Sequence, residues 1–171
     1  MARPLRLDFD PIERAGAIWE RRWGPGEPMR VVTSVFRAQQ LLLARFDAIL
    51  KPYQLTFARY EALVLLHFSR RGELPLSVVG QRLMVHPTSV TNIIDRLVGQ
   101  GYVDRRPNPD DRRGVLAAIT ASGREVAERA TADLMAVEFG LQALDPDDRR
   151  LLWESLRKLR VDAEDFLVDP D

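Results

Sequence analysis

The chain has no cysteine among its 171 residues. Disulfides, thiolate metal sites and thiol-based peroxide sensing are therefore excluded. Only two histidines are present, His67 and His86, and neither a glycine-rich phosphate loop nor a nucleophile elbow occurs. The usual nucleophilic and zinc constellations cannot be built from what remains. Acid pairs such as Asp110-Asp111 and Asp147-Asp148 read as turn and helix-start residues rather than as a catalytic dyad. No cofactor, no metal and no enzymatic activity are expected. No apolar run approaches the ~20 residues of a membrane span, and the amino-terminal residues show no signal-peptide pattern. The expectation is a soluble cytoplasmic protein with no membrane partner. An excess of charge of one sign is also missing, since Lys+Arg and Asp+Glu number 25 each. No overall basic field draws nucleic acid in, so any affinity for it must come from local arrangement.

What is present is an order of elements between residues 76 and 120. A short helix, LSVVGQRL, is predicted with Ser77 as its cap, followed by a break at Val85-His86-Pro87. A second helix, PTSVTNIIDRLVGQ, carries Pro87 at its first position, where proline is pre-shaped and needs no amide partner. Val90, Ile93, Ile94 and Leu97 make an inward stripe, while Thr88, Ser89, Thr91, Asn92, Asp95 and Arg96 fall mostly on the other side. Gly101 ends that helix. YVDRR and GVLAAIT then read as two strands around a turn-rich PNPDDRRG, with Arg105, Arg106, Arg112 and Arg113 as its basic group. Helix, break, helix, hairpin and basic tip together describe a winged helix-turn-helix that reads a DNA groove. A winged helix serving only as a protein-interaction module is the alternative. Small polar residues at 88, 89, 91 and 92 suit base edges and phosphates better than they suit a protein partner.

Around this motif the pattern is helical. Asp10-Pro11-Ile12-Glu13 is a helix start with a capping-box spacing, and Gly24-Pro25-Gly26 stops the helix that carries Trp19 and Trp23. A longer helix is predicted from about residue 28 to 51, broken by Pro52. Thr56 is placed to cap a third, from Phe57 to Arg70, ended by Gly72; it contains His67, read as a satisfied core histidine. His86 reads as a cap or a phosphate neighbour. Ser122 and Glu125 form another capping box, opening a helix to about Ala143, and Asp145-Pro146 starts a last helix to about Phe166. The final two helices carry more apolar surface than a winged motif can cover, which predicts a dimer interface shared with the helix at 28–51.

Residues from about Met29 to Phe166 resemble the MarR family of winged-helix transcription regulators. GYVDRRPNPDDRRGVLAAITASG, Gly101 to Gly123, and the recognition-helix run TNIIDRLVGQG, Thr91 to Gly101, carry the resemblance. It implies a mainly α fold with a small β-wing. The division is an added helix at 1–27, a dimerisation helix at 28–55, the DNA-binding motif at 56–120 and dimerisation helices at 121–171. It further implies a homodimer on a pseudopalindromic operator in double-stranded DNA, and usually a repressor released by a small, often aromatic, effector. Arg113 resembles the family's wing-tip arginine, which enters the minor groove. Asp111 is expected to hold the wing by pairing with an arginine, and Arg112 and Arg96 to contact phosphate. Thr88, Ser89, Thr91 and Asn92 are candidates for base and phosphate contacts.

The helix ending in Trp19 is similar to that of the family's urate-responsive branch. Trp19, Glu61 and Arg105 match that branch's ligand residues in kind, whereas the arginine expected in the recognition helix is Ile93 here. Without that arginine an anionic purine loses its partner, which points to a less charged aromatic or hydrophobic effector. The competing expectation is that Arg105 and Glu61 simply pair and hold the wing to the domain.

Overall fold

In a computed structural model the described residues are 7–167, and the side chains of residues 112 and 113 fall outside the description. The chain divides into two compact units, residues 1–45 and 46–171.

The first unit contains helix α1, Pro11–Trp23, and most of helix α2, Glu27–Leu50. The Asp10 carboxylate caps α1, accepting from the amides of Ile12 and Glu13, as its sequence predicts. Gly24, at φ 100°, reverses the chain. Arg30 of α2 then reaches back to two carboxylates of α1, Glu20 at 2.5 Å and Glu13 at 3.1 Å. Gly16 is buried beneath this guanidinium, and a Cβ there would stand 2.2 Å from Arg30 Nε. Glycine is what lets the cation lie against the helix. The hydrogen bonds and charge of Arg30 hold the Glu20 carboxyl below the ordinary carboxylate range.

The second unit begins with the last turn of α2, where Phe46 and Leu50 are buried. After a 3-10 turn at Lys51–Tyr53, helix α3 runs Phe57–Phe68, strand β1 Glu73–Pro75, helix α4 Leu76–Leu83 and helix α5 Pro87–Gly99. Strands β2, Val103–Asn108, and β3, Asp111–Ile119, follow, then helix α6, Ala121–Ala136, a 3-10 turn at Glu138–Gly140 and helix α7, Pro146–Asp162. The three strands form an antiparallel sheet in the order β1-β3-β2. Its core is aliphatic: Leu63, Leu66, Val79, Val90, Ile94, Leu97, Val103 and Leu134 are almost completely shielded, and no polar side chain among the described residues is buried with them. Val90, Ile94 and Leu97 recur at helical spacing, so α5 is pinned by one face and presents the other.

Several local expectations change. Strand β1 reads as a mere lead-in in sequence because three residues carry no period; pairing of Leu74 with Ala117 is what makes it a strand. Ser77 lies inside α4 and does not cap it; Pro75 occupies the cap position. Thr56 sits at the α3 cap but makes no capping bond, and the Phe57 amide donates to Asp47 Oδ1 at 2.8 Å. That helix ends at Ser69, three residues before Gly72, whose φ of 71° instead serves the turn into β1. Thr120, not Ser122, caps α6 by accepting from the Gly123 amide at 3.0 Å. The hydroxyls of Thr120 and Ser122 both donate to the Gly101 carbonyl, at 2.8 and 2.9 Å. A Cβ at position 123 would lie 2.1 Å from the Tyr102 carbonyl oxygen. Thr120 and Gly123 thus bring the start of α6 against the exit of the recognition helix. Helix α6 also stops at Ala136 rather than near Ala143, because Glu138 and Phe139 take positive φ. Asp145 does cap α7, accepting from the Asp148 amide at 2.8 Å.

Candidate nucleic-acid interface

The break between α4 and α5 is built from three residues. Met84 ends α4 in the left-handed region, at φ 53°, its amide bonded to the carbonyls of Gly80 and Gln81. His86 caps α5: its ring Nδ1 accepts from the Thr88 amide at 3.3 Å, while its carbonyl accepts from Ser89 and Val90. The cap reading of His86 is the correct one. Gly80 sets the approach of the two helices, since a Cβ there would meet Val90 Cγ2 at 3.0 Å.

With Val90, Ile94 and Leu97 turned inward, Thr88, Ser89, Thr91, Asn92, Asp95 and Arg96 are all exposed. Pro87, Thr88, Thr91, Asn92, Asp95 and Arg96 line an open groove of about 650 Å3 along the outer face of α5. Of their side chains, Thr91 bonds only its own helix, donating to the Pro87 carbonyl at 3.2 Å. Short donors and acceptors on an exposed, rigid helix face are free to bond a base edge or phosphate. Ile93 stands on the flank of the helix, half-buried.

The wing is longer in strand and shorter in turn than PNPDDRRG suggests. Strand β2 continues through Asn108 and β3 begins at Asp111, leaving Pro109 and Asp110 at the tip. The pairing shifts between Pro107 and Asn108, so Pro107 faces Val115 while Asn108 faces Asp111. Turn residues became strand because the hairpin carries an irregularity that period-two reading does not see. Asn108 Oδ1 accepts from the Asp110 amide at 3.0 Å and folds the tip. The Asp111 carboxylate turns inward along the hairpin, close enough that a Cβ at Gly114 would meet it at 2.9 Å. The phosphate contact expected of Arg112 and the minor-groove contact expected of Arg113 rest on side chains outside the described residues.

Two wing arginines are already engaged. Arg105 Nη2 is 2.7 Å from Asp95 Oδ1 of α5, and Arg106 Nη1 is 3.3 Å from Glu73 Oε2 of β1. The expected pairing of Arg105 with Glu61 is therefore not formed. An aspartate one helical turn past Thr91 was the nearer partner, and only the crossing of β2 over α5 reveals it. Glu61 instead lines a separate cavity of about 460 Å3 with Gln81, Arg82, Met84, Arg160 and Asp165. Partial desolvation there pushes its carboxyl above the ordinary value. Trp19 belongs to the other compact unit, where its ring meets Trp23 edge-on at 4.7 Å. His67 is not a satisfied core residue: it is partly exposed, its Nε2 3.9 Å from Glu128, and its Nδ1 has no hydrogen-bond partner. Among the described residues no cluster of His, Asp and Glu could hold a metal ion, and no helix is long and apolar enough to cross a membrane.

Comparisons with known proteins place this fold in one family. The sequence profile of the MarR family matches residues 53–114, from the turn before α3 to the wing. An uncharacterised helix-turn-helix regulator of Bacillus subtilis, YhbI, is 31% identical over 120 residues, which cover 70% of this chain and 75% of that protein. The crystal structure of Sco5413, a MarR family transcriptional regulator from Streptomyces coelicolor, is 59% identical, with a TM-score of 0.77 over 82% of this chain and 97% of that one. Sco3205, another MarR family regulator of S. coelicolor, solved in complex with DNA, is 26% identical with a TM-score of 0.73, covering 86% and 92% of the two chains.

Proposed function

The chain belongs to the MarR family of winged helix-turn-helix transcription regulators, and on that premise we propose that it is a homodimeric repressor of a pseudopalindromic operator. It is a regulator rather than an enzyme. The observation that carries the operator reading is the outer face of α5, where Thr88, Ser89, Thr91, Asn92 and Arg96 stand exposed beside a two-stranded wing. In this reading α5 enters the major groove. The first four residues take base edges and phosphate, Arg96 and Arg112 take phosphate, and Arg113 enters the minor groove. Asp111 holds the wing tip. A DNA partner supports a cytoplasmic location.

Residues 56–120 form the reading head, 28–55 and 121–171 supply dimerisation, and 1–27 add a helix. Support for the dimer comes from apolar surface left uncovered in each unit: Val31, Val32, Val35 and Phe36 on α2, and Leu151, Leu152, Trp153 and Leu159 on α7. Helix α7 buries none of its residues in the single chain. A small aromatic effector releases the DNA, with Trp19, Glu61, Ile93 and Arg105 as the residues to vary first. A ligand shifts binding only through its different affinity for the DNA-competent and DNA-free states. Selection of bound duplexes from a random-sequence pool tests the operator reading. Enrichment of an inverted repeat with half-site centres about 10 bp apart is expected, and recovery of no enriched sequence would refute it.

A further inference from the structure

The arginines at the base of the wing are turned away from the role their charge suggests. Arg105 is bonded to Asp95 in the recognition helix, and Arg106, the next residue, to Glu73 in the strand that leads into α4. Successive strand residues face opposite sides of a sheet. One short segment of β2 thus grips α5 with one side chain and the entry to α4 with the other. Asp95 itself lines the groove with Thr88, Thr91, Asn92 and Arg96. A bare carboxylate there would oppose phosphate; the charge of the paired guanidinium offsets it.

We propose that the pairs Asp95–Arg105 and Glu73–Arg106 are a brace that makes the wing and the two-helix motif move as one body, and that Arg105 is a positioning residue for DNA reading rather than a phosphate contact. The reason is leverage. Asp110 at the wing tip lies five residues beyond Arg105, about 17 Å of extended strand at ~3.3 Å per residue. A rotation of ~5° at the base then moves the tip by about 1.5 Å, enough to take a wing side chain out of hydrogen-bond reach. Both pairs are partly exposed, with Arg105 at 34% and Asp95 at 59%, so they contribute little to folding. What they determine is where the wing sits when α5 is in its groove. The brace rests on the operator reading above.

The test is a double-mutant cycle on the full chain. Wild type, Arg105→Ala, Asp95→Asn and the double variant are titrated against the duplex that wild type enriches from a random pool, and against an unrelated duplex of equal length, over a salt series. The brace requires each single variant to weaken the enriched duplex about three- to five-fold while leaving the unrelated duplex and the salt slope unchanged. The double variant should be no weaker than either single one, and Arg105→Lys should recover part of the loss. If Arg105→Ala weakens both duplexes alike and lowers the salt slope by about one, Arg105 is a phosphate contact and the proposal is wrong. Tighter binding by Asp95→Asn, or losses that simply add, would overturn it as well. Thermal melting checks that each variant folds, and Arg105→Gln replaces Arg105→Ala in the cycle if the alanine form does not. A wild-type chain that binds no duplex refutes the operator reading itself, an outcome distinct from failure of the brace alone.

Discussion

Arg113 and Asn92 are expected to act on DNA in different ways, and the difference is measurable. A wing-tip arginine in the minor groove contributes charge and fits groove width, so Arg113→Ala should cost about 1–3 kcal/mol of operator affinity and lower the salt slope by about one. Asn92 stands on the exposed face of α5 and lines its outer groove. Its substitution by alanine should leave the salt slope intact and change which bases are preferred at one position of each half-site. Gel-shift titrations over a salt series separate the two; an unchanged slope in Arg113→Ala would remove the wing-tip assignment. Glu61 gives a residue-scale prediction without DNA. Desolvation raises its carboxyl above the ordinary value, so ionisation costs the folded state stability as the pH rises through the ordinary carboxylate range towards that raised value. Glu61→Gln should therefore melt slightly higher than wild type at pH 7, with the difference vanishing at pH 3. A lower melting temperature at pH 7 would mean that the carboxylate has a cationic partner.

At the scale of elements, ion pairs join α1 to α2. Arg30 bridges Glu13 and Glu20 over the buried Gly16. The Glu20 carboxyl is held below its ordinary value by Arg30, so its contribution is complete above the ordinary carboxylate range and is lost as the pH falls through the lowered value. Arg30→Gln should speed amide exchange along α1 at neutral pH while the amides of α3 and α5 stay protected. In wild type, acidification should do the same. Gly16→Ala should act in that direction too, because a Cβ would displace the guanidinium from its two carboxylates. Exchange in α1 unaltered by Arg30→Gln would show that apolar contacts alone fix the helix.

For the molecule as a whole, the uncovered apolar faces of α2 and α7 set the expectation. Replacing both Leu152 and Trp153 by aspartate should convert a dimer at micromolar concentration into a monomer, as sedimentation would show. Operator affinity should fall steeply, since one half-site then binds alone. A wild-type chain that is monomeric and still covers both half-sites would sink the dimer reading. The proposed effector release belongs to the same scale. Phenols should quench tryptophan fluorescence and release DNA in wild type but act weakly in Trp19→Phe. Urate should act weakly in both, because Ile93 has no charge to offer it. Strong urate release from wild type would show that reasoning to be mistaken.

The local grammar of the chain was sufficient for much of this. Asp10, Pro87 and Asp145 stand at helix starts as the sequence predicts, because capping and proline geometry need only the next three or four residues. The stripe of Val90, Ile93, Ile94 and Leu97 settled which face of α5 turns inward, and hence which residues it presents, although Ile93 reaches only a half-buried flank. Long-range geometry decided the rest. Strand β1 exists only because β3 pairs with it. The α3 amide is capped from Asp47, ten residues away in a different helix. Thr120, not Ser122, caps α6 by accepting from the Gly123 amide, while the hydroxyls of both donate to the Gly101 carbonyl of a distant loop. Arg105 meets Asp95 and not Glu61 because of where β2 crosses α5. Periodicity and capping are written in neighbouring residues, whereas the partner of a long charged side chain depends on which elements the core brings together.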